Sequence, residues 1–202
     1  MIFHHIHFNT RNVKYWENYL VSSYGFRVKN RYGIINGTHK AFDQNFSWDN
    51  FKNGDGTVFR LEELERGAVN ITLMAGKTEG LFFDHIGLCC SPLEKNEIIS
   101  RSKSENFSIR ENPSRVFIDP SIGFKIELTE GEDNYNKESL EDFRIDALKV
   151  ILPDIEKAKS AIFEVMNVPI KDRLLFASGD SCSLKSISFK GESNYVFDKF
   201  EI

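Results

Sequence analysis

Three of the four residues from 4 to 7 are histidines: the stretch FHHIHF, residues 3 to 8, carries His4, His5 and His7. Read as a strand, it alternates, so Phe3, His5 and His7 share one face and His4, Ile6 and Phe8 the other. A second stretch, FDHIGL, aligns with it and sets His85 opposite His5. Three further short segments, NITL, KIEL and KFEI, align among themselves and put Thr72, Glu127 and Glu201 in register. If the opening and closing strands of neighbouring units pack side by side, His5, His85 and Glu127 can meet. Two imidazoles and one carboxylate bind a divalent metal at three positions and leave others open, as in non-haem iron sites. A buried carboxylate at an otherwise apolar inward position also needs a partner. His7, one pleat along from His5, is a candidate for moving a proton, or else a polar wall of the cavity. His4 points the other way and reads as structural, and His39 reads as surface.

The elements that must position these residues come in a repeated order. FHHIHF is followed by TRNVKYWENYLVSSYGF, where Val13, Trp16 and Leu20 fall at helical spacing, Thr10 and Asn12 are candidate N-caps and Gly25 ends the helix. A strand from Phe26 to Arg31, an insert over 34–56 read as a loop, and strands TVFRLEEL and AVNITLMA around Gly67 complete a first module over residues 1–80. The grammar recurs over 81–129 with FFDHIGLCC, a helix opened by a Ser91–Glu94 capping box with Pro92 at its first position, and three strands, NFSIR, SRVFID and GFKIEL. Residues 130–141 are acidic and apolar-poor and read as a linker. A third unit, 142–202, offers strand FRIDALKVILPD, helix IEKAKSAIFEVMNV and three more strands, with Ala147 where the others have histidine. A strand–helix–three-strand unit leaves one sheet face unburied and needs a neighbour. The expected fold class is α+β: tandem βαβββ modules forming a cleft-shaped mixed sheet, with a third βαβββ-like unit at the C-terminus.

Composition narrows the partners. In 202 residues, 41% hydrophobic and 28% charged residues suit a chain with a real core. A net charge of -4 with scattered Lys and Arg gives no basic face for nucleic acid. No run approaches the ~18 apolar residues of a membrane span, so a cytoplasmic location and no membrane partner are expected. Three cysteines, Cys89, Cys90 and Cys182, cannot all pair within the chain and read as buried small hydrophobes. No P-loop, dinucleotide-binding or serine-hydrolase motif is present. Phenylalanine is abundant, at 18 residues, and Phe42, Phe46, Phe51 and Trp48 of the insert could line an apolar substrate pocket.

The paired units, with HHIHF heading the first, DHIGL the second and DPSIGFKIEL closing it, resemble the vicinal oxygen chelate superfamily, which includes glyoxalase I, fosfomycin resistance enzymes, extradiol dioxygenases and bleomycin-binding proteins. The resemblance covers residues 1–129, and 143–202 as pattern only. It implies that His5, His85 and Glu127 are metal ligands. The fourth ligand of glyoxalase I would fall at Thr72, so the chain departs from that enzyme and fits three-ligand members. The first module is also similar to the N-terminal domain of 4-hydroxyphenylpyruvate dioxygenase. The expectation is a metal-dependent enzyme, a lyase or isomerase or an Fe(II)-dependent dioxygenase. Its cofactor would be Fe(II), Mn, Ni or Zn, its ligands His5, His85 and Glu127, and its proton-moving residue His7. Phe3, Thr72 and Trp48 are expected to touch a small-molecule substrate. The alternative is a metal-free protein that sequesters an antibiotic or metabolite. A third module without its usual partner is expected either to pack against the first pair or to meet its own copy in a homodimer.

Overall fold

The computed structural model describes residues 1–51, 56–112, 114–130, 143–166 and 172–190. The acidic stretch after Glu130, the last expected strand and Glu201 lie outside the described residues. The architecture is α+β, a mixed open sheet built from tandem βαβββ modules. By contacts, the chain divides into two compact units, one comprising residues 1–5, 67–69 and 83–202, the other residues 6–66 and 70–82.

The second of these units starts within β1 (Ile2–Thr10) and runs through α1 (Val13–Tyr24), β2 (Arg27–Ile35), β3 (Thr38–Asp43), β4 (Thr57–Arg66) and β5 (Val69–Ala75). Its strand order is β3-β2-β4-β5, followed by residues 6–10 of β1. Gly25 closes α1 in the left-handed conformation, φ 65°, which costs glycine little. Asn12 is the N-cap, but its side chain does not cap the helix; its amide donates instead to Glu79 Oε2 at 2.7 Å. The buried face of α1 carries Val13, Glu17 and Leu20, whereas Trp16, expected in the core stripe, is half-buried. The insert is more ordered than the expected loop: β2 continues to Ile35, turns at Asn36 and Gly37, both with positive φ, and returns as β3, with Ile35 paired to Thr38. Asn-Gly between apolar positions is the favoured two-residue hairpin turn. After a short 3-10 turn at Trp48–Phe51, Phe42, Phe46, Trp48, Phe51 and Phe59 pack on one another, with ring centroids 4.0–5.7 Å apart.

The other unit contains residues 2–5 of β1, then β6 (Phe82–Cys90), α2 (Pro92–Ser104), β7 (Ser108–Asn112), β8 (Arg115–Asp119) and β9 (Lys125–Glu130). Here the strand order is β1-β6-β9-β8-β7: β6 runs parallel to β9, and β9-β8 and β8-β7 are antiparallel. The capping box opening α2 is complete, because Ser91 Oγ accepts from the Glu94 backbone N–H (3.3 Å) and the Ser91 N–H donates to Glu94 Oε2 (2.8 Å). Ile86, Leu88, Ile98, Ile118, Ile126 and Leu128 are fully buried and make the core of this module.

The third module has β10 (Arg144–Leu152), α3 (Ile155–Met166), β11 (Leu174–Ser178) and β12 (Ser183–Lys190). Its described strand order, β11-β10-β12, differs from that of the second module. β11 pairs directly and in parallel with β10, while β12 is antiparallel to β10 on its other edge. The edge of the first strand that β9 takes in the second module is thus held by β12 or β11 here. Both neighbours of β10 are supplied before the chain reaches its last segment.

Candidate metal centre

The opening strands β1 and β6 and the closing strand β9 bring three side chains to one point. His5 Nε2 lies 3.2 Å from His85 Nε2 and 3.5 Å from Glu127 Oε2, and His85 Nε2 lies 3.1 Å from the same oxygen. All three residues are buried, with 8%, 4% and 2% of their surface exposed. Register explains the meeting: Gly87 on β6 is directly opposite Glu127 on β9, and His85, two residues earlier, shares that face. Gly87 makes room for the other imidazole. A Cβ there would come 2.1 Å from His5 Nδ1 and Cε1 and 2.6 Å from Nε2, so only glycine admits the ring where it stands.

The outer partners fix which atoms face inward. Asp84 Oδ2 accepts from His85 Nδ1 at 2.7 Å, and Lys125 Nζ holds the other Asp84 oxygen at 2.9 Å. With Nδ1–H committed to Asp84, the second His85 nitrogen is directed at the Glu127 carboxylate. His5 Nδ1 forms a hydrogen-bonding pair with His4 Nδ1 at 3.1 Å. Phe117 presents a T-shaped ring contact to His85 at 5.4 Å, and Arg115 reaches Glu127 Oε1 at 3.3 Å.

Electrostatics follow from this packing. Burial would raise the Glu127 pKa, but the hydrogen bonds and charge of His5 and His85 hold it well below the usual carboxylate range. Burial would lower the His85 pKa; hydrogen bonds to Asp84 and Glu127, and their charges, raise it instead. Burial also works against ionisation of Asp84, and its bonds to His85 and Lys125 overcome this and depress its pKa.

Two nitrogens and an oxygen with lone pairs converging at 3.1–3.5 Å repel one another unless a cation lies among them, a proton or a metal ion. Two of the three edges fall within, and the third just beyond, the about 3.0–3.4 Å expected between neighbouring ligands of an ion with bonds of about 2.1 Å. The donor set therefore fits a divalent metal. No other group of three or more such residues is gathered among the described residues.

Of the remaining expected site residues, Phe3 is buried beneath the Arg173 guanidinium, 5.1 Å from the ring centroid. His7, Thr72 and Trp48 belong to the other unit. His7 is buried in β1. Thr72 is buried, and its Oγ1 donates to Asn70 Oδ1 at 3.3 Å. The Trp48 indole N–H donates to Glu17 Oε2 at 2.5 Å. Glu17 also receives the Arg31 guanidinium at 2.8 Å, and Arg31 Nε reaches Glu62 at 3.3 Å, so two buried carboxyls share one arginine. Asp84, Gly87 and Arg115 were not singled out by the sequence. Only Gly87 left a signal, a glycine inside an apolar strand, where close approach of another group is the usual reason.

No family profile and no curated protein matches the sequence. Solved structures do. The chain is similar to BphC, a halotolerant catechol dioxygenase, with a TM-score of 0.66 and 14% identity over 96% of this chain and 72% of that one. A variant of 4-hydroxymandelate synthase from Streptomyces coelicolor gives 0.65 and 10% over 93% and 70%. The Mn(II)-bound glyoxalase from Novosphingobium aromaticivorans gives 0.58 and 6% over 93% and 64%. All three are members of the vicinal oxygen chelate superfamily, and the chain has the fold of that superfamily. At these identities the likeness is one of fold.

Proposed function

We propose that the protein is a divalent-metal enzyme of the vicinal oxygen chelate type that binds a small substrate through two adjacent oxygens, with His5, His85 and Glu127 as the metal ligands. The carrying observation is the buried convergence of His5 Nε2, His85 Nε2 and Glu127 Oε2 within 3.1–3.5 Å, backed by the Asp84 bond that aims His85. Three protein ligands leave positions open for substrate, and a two-histidine, one-carboxylate set favours Fe(II) and a dioxygenase over a four-ligand glyoxalase I site. The ion would supply Lewis acidity toward the paired substrate oxygens and, as Fe(II), reactivity with dioxygen. The chain's own residues do the positioning. Asp84 fixes the His85 tautomer and ring direction, Gly87 lets His5 approach, and Arg115 balances the outward oxygen of Glu127.

Metal content of untagged protein prepared without chelators, beside His85→Ala and Glu127→Ala, tests the ligand set. About one equivalent of divalent metal, lost in both folded variants, supports it. Oxygen uptake with a panel of catechols, and activity under argon, then separates dioxygenase from isomerase or lyase. No uptake of iron, manganese, nickel or zinc after anaerobic reconstitution would overturn the proposal and favour a metal-free binding protein.

A further inference from the structure

The face of the sheet that holds the candidate metal centre carries three cationic side chains, those of Lys125, Arg115 and Arg110. Gly87, Glu127, Phe117 and Arg110 lie directly opposite one another across β6, β9, β8 and β7, so their side chains share that face. Lys125 and Arg115, two residues from Glu127 and Phe117 respectively, share it as well. Lys125 is matched by Asp84 at 2.9 Å. Arg115 has Glu127 at 3.3 Å, although its side chain is 52% exposed and Glu127 is almost wholly buried. Arg110 is exposed, its guanidinium lies 4.6 Å from the Phe117 ring centroid, and among the described residues it has no carboxylate partner. Asp119, the other acid on this face of β8, accepts the Ser121 backbone N–H at 2.8 Å.

A metal ion on Glu127 Oε2 would draw on the charge of the same carboxylate whose Oε1 Arg115 reaches, the one carboxylate near Arg115 among the described residues. Two guanidiniums and a dication would then share one face of the sheet, an arrangement that repels itself unless a further anion binds. Arg110 and Arg115 stand diagonally across the β7-β8 pair, about 7–8 Å apart at their bases, near enough for both to reach one oxyanion. Phe117 and Arg110 sit one and two strands from Glu127, about 5 and about 10 Å across the sheet. A flat substrate reaching from the metal across the sheet toward β7 would bring a group at its far end to the two arginines.

We propose that Arg115 and Arg110 form a subsite for an anionic substituent of the substrate, a carboxylate or a comparable oxyanion, set about the width of one aromatic ring from the oxygens that chelate the metal. This rests on the metal-enzyme reading above and narrows its substrate class to acid-bearing oxygen chelators.

The test titrates the metal-loaded protein under argon with three probes, catechol, 3,4-dihydroxybenzoate and 3,4-dihydroxyphenylphosphonate, using calorimetry and measuring metal content in every sample. The benzoate should bind about tenfold more tightly than catechol, as a charge-assisted hydrogen bond warrants, and this preference should shrink with added salt. Arg110→Gln and Arg115→Gln should each remove most of the preference, and Arg110→Gln, which does not touch Glu127, should leave catechol affinity within about twofold. Equal binding of the phosphonate and the benzoate would mean that the subsite reads charge, and weaker phosphonate binding that it reads the planar carboxylate. If Arg115→Gln loses metal through its contact with Glu127, Arg110→Gln, which does not touch Glu127, decides. No preference in the metal-loaded wild type, or equal losses on charged and neutral probes, would overturn the subsite alone. If the wild type takes up no metal, the metal-enzyme reading fails separately. The same pair titrated against metal-free protein then still decides, equal affinities overturning the subsite.

Discussion

Replacing Gly87 with alanine adds one methyl group at the point where β6 faces the His5 ring. The added carbon would stand 2.1 Å from two ring atoms and 2.6 Å from Nε2, against ordinary contacts of 3.4–4 Å. The ring must therefore retreat by more than 1 Å, and Nε2 leaves the point it shares with His85 and Glu127. In metal-free protein the crowding costs about 1–3 kcal/mol, offset by roughly 0.5–1 kcal/mol because alanine suits a strand interior better than glycine. The fold should survive. Metal affinity should fall by more than the ~10–100-fold typical of losing an outer partner of a ligand, since here a ligand itself is displaced. Thermal melts of the metal-free protein and chelator competition for the metal-loaded protein measure the two effects independently. The double variant His5→Ala/Gly87→Ala provides the control: with the ring gone the methyl group meets nothing, so the stability costs of the two changes should not add. Wild-type metal affinity in Gly87→Ala, or additive costs in the double variant, would show that His5 does not occupy this position.

Three further perturbations have definite expected outcomes. Asp84→Asn keeps a hydrogen-bond acceptor for His85 Nδ1 but removes the charge, and chelator competition should show metal affinity about 10-fold or more weaker. In the other unit, burial, then the hydrogen bond and negative field of Glu17, push the Glu62 pKa up to about 9 against the pull of Arg31. A raised carboxyl pKa means that the folded state holds a proton the unfolded chain has released. Glu62 therefore lowers stability progressively from about pH 4.5 to about pH 9, by at most about 1.4 kcal/mol per pH unit. Glu62→Gln should raise the melting temperature at neutral pH and flatten its decline over that window; an unchanged pH profile would refute the assignment. Ser91→Ala breaks the capping box of α2 and should cost about 1 kcal/mol, read as a melting temperature about 2–4 °C lower.

The parts of the site that were legible in the sequence are those that repeat. His5 and His85 could be matched because FHHIHF and FDHIGL are written alike, and Glu127 because the end of its module could be aligned with NITL. The capping box at Ser91 was legible because its partners lie three residues apart. The β2-β3 hairpin was also written plainly, as Asn36-Gly37 between Ile35 and Thr38, but it sat inside a polar stretch and read as loop. Local spacing carries information only about partners close in the chain or duplicated along it.

The groups that complete the site have neither property. Strand alternation places Asp84 on the face opposite His85, yet its carboxylate bonds the ring of that neighbour at 2.7 Å, so the period-two rule that found the histidine hid its orienting partner. Arg115 reaches Glu127 only because β8 pairs with β9 with Phe117 opposite Glu127, a register no spacing within either strand announces. Glu17 is the same case on a helix: a charged residue at a buried position looks like a break in the apolar stripe until Arg31 and Trp48 arrive from segments 14 and 31 residues away. Glu17 is costly to bury alone and is compensated once paired, whereas Arg115 stays largely exposed and meets the buried Glu127 only through strand register. The chemistry that tunes the centre is thus set by strand register and long-range pairing, while the chemistry that founds it is set by repetition.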